Sequence, residues 1–144
     1  MKKILIAIIA VIIIVAIVGV KYISYENDQS LIRQENKEFE QYQDKEINGL
    51  DVATVINKAT DKNTKNNISK DENGYFIQND DNSIEVEIHM SDNDITYKME
   101  TIFNAGTEQF VQYYSNINFR CSQIEYHKKT GRIKYILFEQ QQSS

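Results

Sequence analysis

The sequence predicts an α+β protein: a long apolar helix at the N-terminus, then a small domain with an antiparallel sheet of about five strands and one or two short helices. Three observations carry that prediction. Ile4 to Val20 is an unbroken run of seventeen apolar residues. Between Ser24 and Ala59 the hydrophobic residues recur at helical spacing. After Gly74 the spacing falls to two, the period of a half-buried strand. At 144 residues there is room for one domain and an appendage.

The apolar run holds eight Ile, four Val, three Ala, one Leu and one Gly. At ~1.5 Å per residue it makes about 25 Å of helix, close to a ~30 Å hydrocarbon core. Tyr22 and Ile23 extend it, and the ammonium groups of Lys3 and Lys21 can snorkel to the two interfaces. Its thirteen Ile, Val and Leu residues, at roughly −0.3 to −0.6 kcal/mol each, favour insertion by about 6 kcal/mol. A cleaved secretory signal fits less well. The run exceeds the usual ~7–15 apolar residues, and no A-x-A-like site precedes Lys21: the nearest −3 and −1 pair is Ile17 with Gly19, and Ile is bulky for the first. No Cys follows the run to support lipoprotein processing. The expectation is an uncleaved single-pass anchor over residues 1–23. Lys2, Lys3 and the amino group place the N-terminus in the cytoplasm and the domain outside the cell membrane.

With Lys2, Lys3 and Lys21 set aside, thirteen Lys and Arg face twenty-one acids, leaving a charge near −8. Such a surface excludes a nucleic-acid partner. The single Cys121 has no partner for an internal disulfide, so the domain must be held by its core.

Leu31, Ile32, Phe39 and Tyr42 form a narrow helical stripe, which predicts an amphipathic stalk helix over residues 24–46. The domain proper is expected over residues 47–139. Ile47-Asn48-Gly49 breaks the stalk, and Val52, Val55, Ile56 and Ala59 stand at i, i+3, i+4 and i+7 of a short helix, with Asn48 or Asp51 to cap it. Thr60 to Asn73 reads as a polar loop. Tyr75-Phe76-Ile77 reads as a short strand. Ile84, Val86, Ile88 and Met90 alternate with Glu85, Glu87 and His89 in a second strand. After the Asp92-Asn93-Asp94 turn a third begins at Ile95 and can run on to Phe103. Thr107 is placed to cap a helix carrying Phe110, Val111, Tyr113 and Tyr114. Strands over 118–127 and 132–139 follow, joined by a Lys128-Lys129-Thr130-Gly131 turn, and residues 140–144 form a flexible tail.

Few residues invite chemistry. Cys121 and His127 would share a strand face but stand roughly 20 Å apart at ~3.3 Å per residue, too far for a nucleophile and its base. Cys121, alternating with Phe119, reads as a small buried hydrophobe. Glu85, Glu87 and His89 are the solvated side of an amphipathic strand more readily than metal ligands, and the acidic turns lack the spacing of a calcium loop. No phosphate loop, nucleophile elbow or Cys-x-x-Cys pair is present. The reading is therefore of a protein that is not an enzyme and needs no cofactor or metal. His127, Lys128, Lys129, Arg132 and Lys134 form the basic cluster of an acidic domain and are the candidate contact patch, as against a charged hairpin tip that keeps the strands soluble. Tyr113, Tyr114, Tyr126 and Tyr135 could add aromatic contacts but read more simply as core.

An apolar N-terminal helix, an amphipathic helix and then an antiparallel sheet together resemble the plan of type IV pilins and pseudopilins. The pilin processing motif is missing, since no acid interrupts Ile4 to Val20. The stretches from Glu46 to Ala59 and from Ile124 to Arg132 are similar to uncharacterised single-pass membrane-anchored proteins of low-GC Gram-positive bacteria. These resemblances imply topology. The functional expectation is an extracytoplasmic interaction or assembly module, accessory to a pilus-like or secretion apparatus. It would hold lipid through residues 4–20 and bind a protein partner or a second copy. The alternative is a tethered sensor or binding domain for a small ligand or cell-wall anion.

Overall fold

The computed structural model describes residues 2–142. It divides into two compact units, one through Glu35 and one from Asn36 onward.

The first unit is helical. Helix α1, Lys2–Glu40, runs for 39 residues, and every large hydrophobic side chain described between Ile4 and Val20 is 48–66% exposed. The best window of this helix has a mean hydropathy of 2.9, and none of it is buried. It is long and apolar enough to cross a membrane, which fits an anchor and fits a signal sequence equally.

The second unit is α+β. Its last turns of α1 carry Phe39, only 2% exposed, into the core. The helix was expected to reach Glu46 and stops at Glu40. There the bonds from Tyr42 N to Phe39 O and Gln43 N to Glu40 O tighten the turn, and Asp44 takes a left-handed φ of 57°. The chain then enters strand β1, Glu46–Asn48, in place of the simple break expected. Asn48 closes β1 and caps helix α2, Gly49–Lys65. Its carboxamide accepts from Asp51 N at 3.0 Å while the Asp51 carboxylate accepts from Asn48 N, a reciprocal capping box.

Helix α2 outlasts its apolar stripe by six residues, so the loop expected from Thr60 begins only after Lys65. Thr60 and Asn63 continue the buried face as polar residues, and the partner that satisfies Asn63 lies 21 residues on. Strand β2, Glu85–Met90, and strand β3, Ile95–Lys98, follow. The expected strand at Tyr75-Phe76-Ile77 is instead an isolated bridge between Lys70 and Phe76, with Phe76 N donating to the Glu100 carboxylate at 3.1 Å. Nor does β3 continue to Phe103. Met99–Ala105 is helix α3, because Met99 and Ile102 bury at helical spacing. Helix α4, Thr107–Tyr114, starts after Gly106 without a side-chain cap, and the Thr107 hydroxyl meets Asn57 instead. Strands β4, Asn118–Tyr126, and β5, Ile133–Gln140, close the chain across a turn where Gly131 takes φ 72°. The tail expected from Gln140 is tied down in part, since Gln140 Nε2 donates to Asp92 and Gln141 N to Asn118 O; Ser143 and Ser144 lie outside the described residues.

The sheet order is β1-β4-β5-β2-β3. Three pairings are antiparallel, but β2 and β5 run parallel, so the sheet is mixed where an antiparallel one was expected. Period-two patterning is identical for both directions, and only the long return of the chain through β3, α3, α4 and β4 decides between them. Val86, Ile88 and Met90 from β2 and Ile133, Ile136 and Phe138 from β5 bury against Val52, Ile56 and Ala59 of α2. Phe110, Tyr114 and Phe119 close one end of this core with ring centroids 4.9–6.5 Å apart.

Candidate functional site

Most of the residues singled out in the sequence are engaged by neighbours within the domain. Cys121 is fully buried, and its Sγ lies 4.0 Å from the Gln123 carbonyl; burial pushes the thiol up to about 11. His127 is 3% exposed. One of its ring nitrogens sits 2.7 Å from the Ser83 carbonyl, while its backbone pairs with Gly131 and Arg132. The two side chains thus serve separate buried contacts.

On the sheet face away from the helices, Glu85 takes Lys98 Nζ at 3.0 Å, Glu87 takes the Tyr135 hydroxyl at 2.8 Å, and His89 lies 3.1 Å from Thr96 Oγ1. Burial and the Glu87 hydrogen bond raise the Tyr135 phenol well above its ordinary value. Among the described residues no group of three His, Cys, Asp or Glu side chains is placed to hold a metal.

The basic cluster is split by the fold. Its His127 is buried, Arg132 is half-buried, and Lys129 pairs with Asp81 at 2.6 Å. Lys128 and Lys134 are exposed around a shallow concavity of about 410 Å³ that also holds Asp80 and Glu125. The patch is therefore of mixed sign. The four tyrosines part as well: Tyr114 is in the aromatic cluster, Tyr126 donates to Glu40 at 2.8 Å, Tyr135 donates to Glu87, and Tyr113 is 72% exposed.

Sequence reasoning missed a groove beside the β3 edge of the sheet. Met90 of β2 and Tyr97 of β3 form one wall, Ile102 and Ala105 of α3 the second, and Phe110 and Tyr113 of α4 the third, around about 210 Å³. Phe110 and Tyr113 signal it only weakly, as an aromatic pair at i, i+3 on a short helix. Nothing in the sequence reveals that α3 exists to complete the walls.

No family model, curated protein or solved structure matches this chain. The geometry alone carries the functional reading. The groove is apolar, sized for a side chain and open beside a sheet edge.

Proposed function

We propose that the chain is a membrane-anchored interaction module whose domain lies outside the cytoplasm and assembles with a protein partner, as an accessory of a pilus-like or secretion apparatus. The observation that carries the reading is the exposed apolar segment from Ile4 to Val20, whose side chains need lipid or an equivalent cover. Lys2 and Lys3 support a cytoplasmic N-terminus. The apolar groove supports contact with another molecule, as does the largely exposed Tyr113 on its wall.

Two measurements test this. After cell fractionation and alkaline washing, the full-length chain is expected to stay with the membrane. Trypsin added to intact spheroplasts is expected to cut at the exposed Lys70, in the segment between α2 and β2. Full-length chain in the soluble fraction, or a Lys70 bond cut only after lysis, contradicts the anchor and the orientation respectively.

The alternative, a binding domain for a cell-wall anion, would rest on Lys128 and Lys134. The carboxylates of Asp80 and Glu125 beside them and the Lys129–Asp81 pair weaken the field an anion would meet.

A further inference from the structure

We propose that the groove takes an extended, cationic segment of a partner protein, which adds as a sixth strand to the free edge of β3 and seats one apolar side chain between Tyr97 and Tyr113. This names the partner chemistry for the interaction reading above and rests on it.

Three features converge. β3 is the last strand of the sheet, and alternate residues of such an edge turn their N–H and C=O groups outward. Among the described residues, no backbone group outside the sheet and α3 bonds to Ile95–Lys98; the Ile95 amide donates to the Asn93 side chain at 3.2 Å within the turn, and Ile95 is 44% exposed. The groove adjoins this edge through Tyr97, and its 210 Å³ falls below the ~300–1,000 Å³ of pockets for drug-sized ligands, so it suits a single side chain. Strand addition uses this combination: main-chain bonds for affinity and a pocket for alternate side chains.

Charge selects the occupant. A Cβ placed on Gly106, which lines the groove, would lie 3.6 Å from a Glu108 carboxylate oxygen, so that acid stands at the rim. At the start of β3, Asp92 and Asp94 are exposed in the turn, the first bonded to Gln140 and the second 3.7 Å from His89; Lys98 at the other end of β3 is paired with Glu85, and no Lys or Arg lines the groove. Beyond Lys21 the chain carries a charge near −8, which sets two copies against each other and favours Lys- or Arg-bearing segments of another protein.

The test uses the full-length chain in phosphatidylcholine nanodiscs, titrated with a seven-residue peptide alternating valine and lysine around a central tryptophan; empty discs are the blank. Saturable binding is expected, with amide shifts at Ile95–Lys98 and around Ile102. Methylating the outward-bonding amides of the peptide, or exchanging its lysines for glutamates, is expected to weaken binding about tenfold or more. Ala105→Phe fills the groove and is expected to do the same. Glu108→Lys alters only an exposed rim residue and serves should the first variant melt early. Shifts centred on Lys128–Lys134, affinity indifferent to N-methylation, or unchanged binding by Glu108→Lys would each overturn the proposal. Photocrosslinking in native membranes separates it from the broader reading. If wild type and Ala105→Phe capture the same protein equally, strand addition fails and the interaction reading stands. If wild type captures no protein, both fail.

Discussion

Asn63 and Ile84 are joined by two hydrogen bonds in opposite directions: the Asn63 carboxamide donates to the Ile84 carbonyl at 2.8 Å and accepts from the Ile84 amide at 2.8 Å. Both residues are buried, so one side chain on α2 completes the backbone pairing at the entry to β2. The last turn of α1 repeats the device, with Asn36 donating to Gly131 O at 2.8 Å and accepting from Ile133 N at 3.1 Å at the entry to β5. These two carboxamides set where the parallel strands begin.

Replacing Asn63 with Ala strands a donor and an acceptor in the core, each costing about 1–3 kcal/mol. Asn63→Ala is therefore expected to lower stability by about 2–4 kcal/mol and Tm by at least about 10 °C. The exposed Asn57→Ala serves as the reference in the same calorimetric scan. Equal melting of the two variants would show that Asn63 has no such role.

Gly49, the first residue of α2, packs its α-carbon against the end of α4. A Cβ there would lie 2.1 Å from the Tyr114 carbonyl oxygen and 2.5 Å from its carbon, both backbone atoms that cannot swing aside. Gly49→Ala is expected to push the two helices apart at a cost of about 1–3 kcal/mol, whereas Leu50→Ala, at an exposed neighbour, should stay within about 0.5 kcal/mol. Urea titration decides, and a Gly49→Ala midpoint equal to wild type refutes the close approach.

The Cys121 thiol, buried and pushed up to about 11 by that burial, carries very little thiolate at pH 7.5. Iodoacetamide is expected to leave the native chain unmodified at that pH and to label it fully in urea. The direction with pH follows from the raised value: proton loss becomes appreciable only as pH approaches 11, so native labelling should accelerate steeply above pH 9. Rapid labelling of the folded chain at neutral pH would contradict the burial.

Acidic substitutions probe the apolar helix. An Asp at the helix centre costs about 2.5–3.5 kcal/mol against the roughly 6 kcal/mol by which Ile4 to Val20 favours lipid. Ile13→Asp alone is expected to remain membrane-bound, and Ile13→Asp with Ile14→Asp is expected to appear largely in the soluble fraction. Soluble recovery of the single variant would show that the segment is not seated in lipid.

The elements legible in the sequence are those whose signal is local. Seventeen consecutive apolar residues declare α1, the Val52–Ala59 stripe declares α2, and strict alternation declares β2, because burial of one face imposes a period of 3.6 or 2 on the residues themselves. Where polar residues bury, the local signal lapses. Thr60 and Asn63 hid the last turns of α2, and Glu100, 4% exposed, hid α3 inside what looked like a strand.

By itself the sequence determined the α+β class, the apolar helix, the burial of Cys121 and the acidic surface, each a property of composition or of neighbours along the chain. Tertiary structure alone decided that β2 lies parallel to β5, that the basic residues near Lys128 are divided among core, ion pair and open surface, and that Met90, Tyr97, Ile102 and Phe110 wall one groove. Those outcomes depend on contacts between residues far apart in sequence, and a one-dimensional pattern does not record which distant partner satisfies a buried polar group or shares a wall.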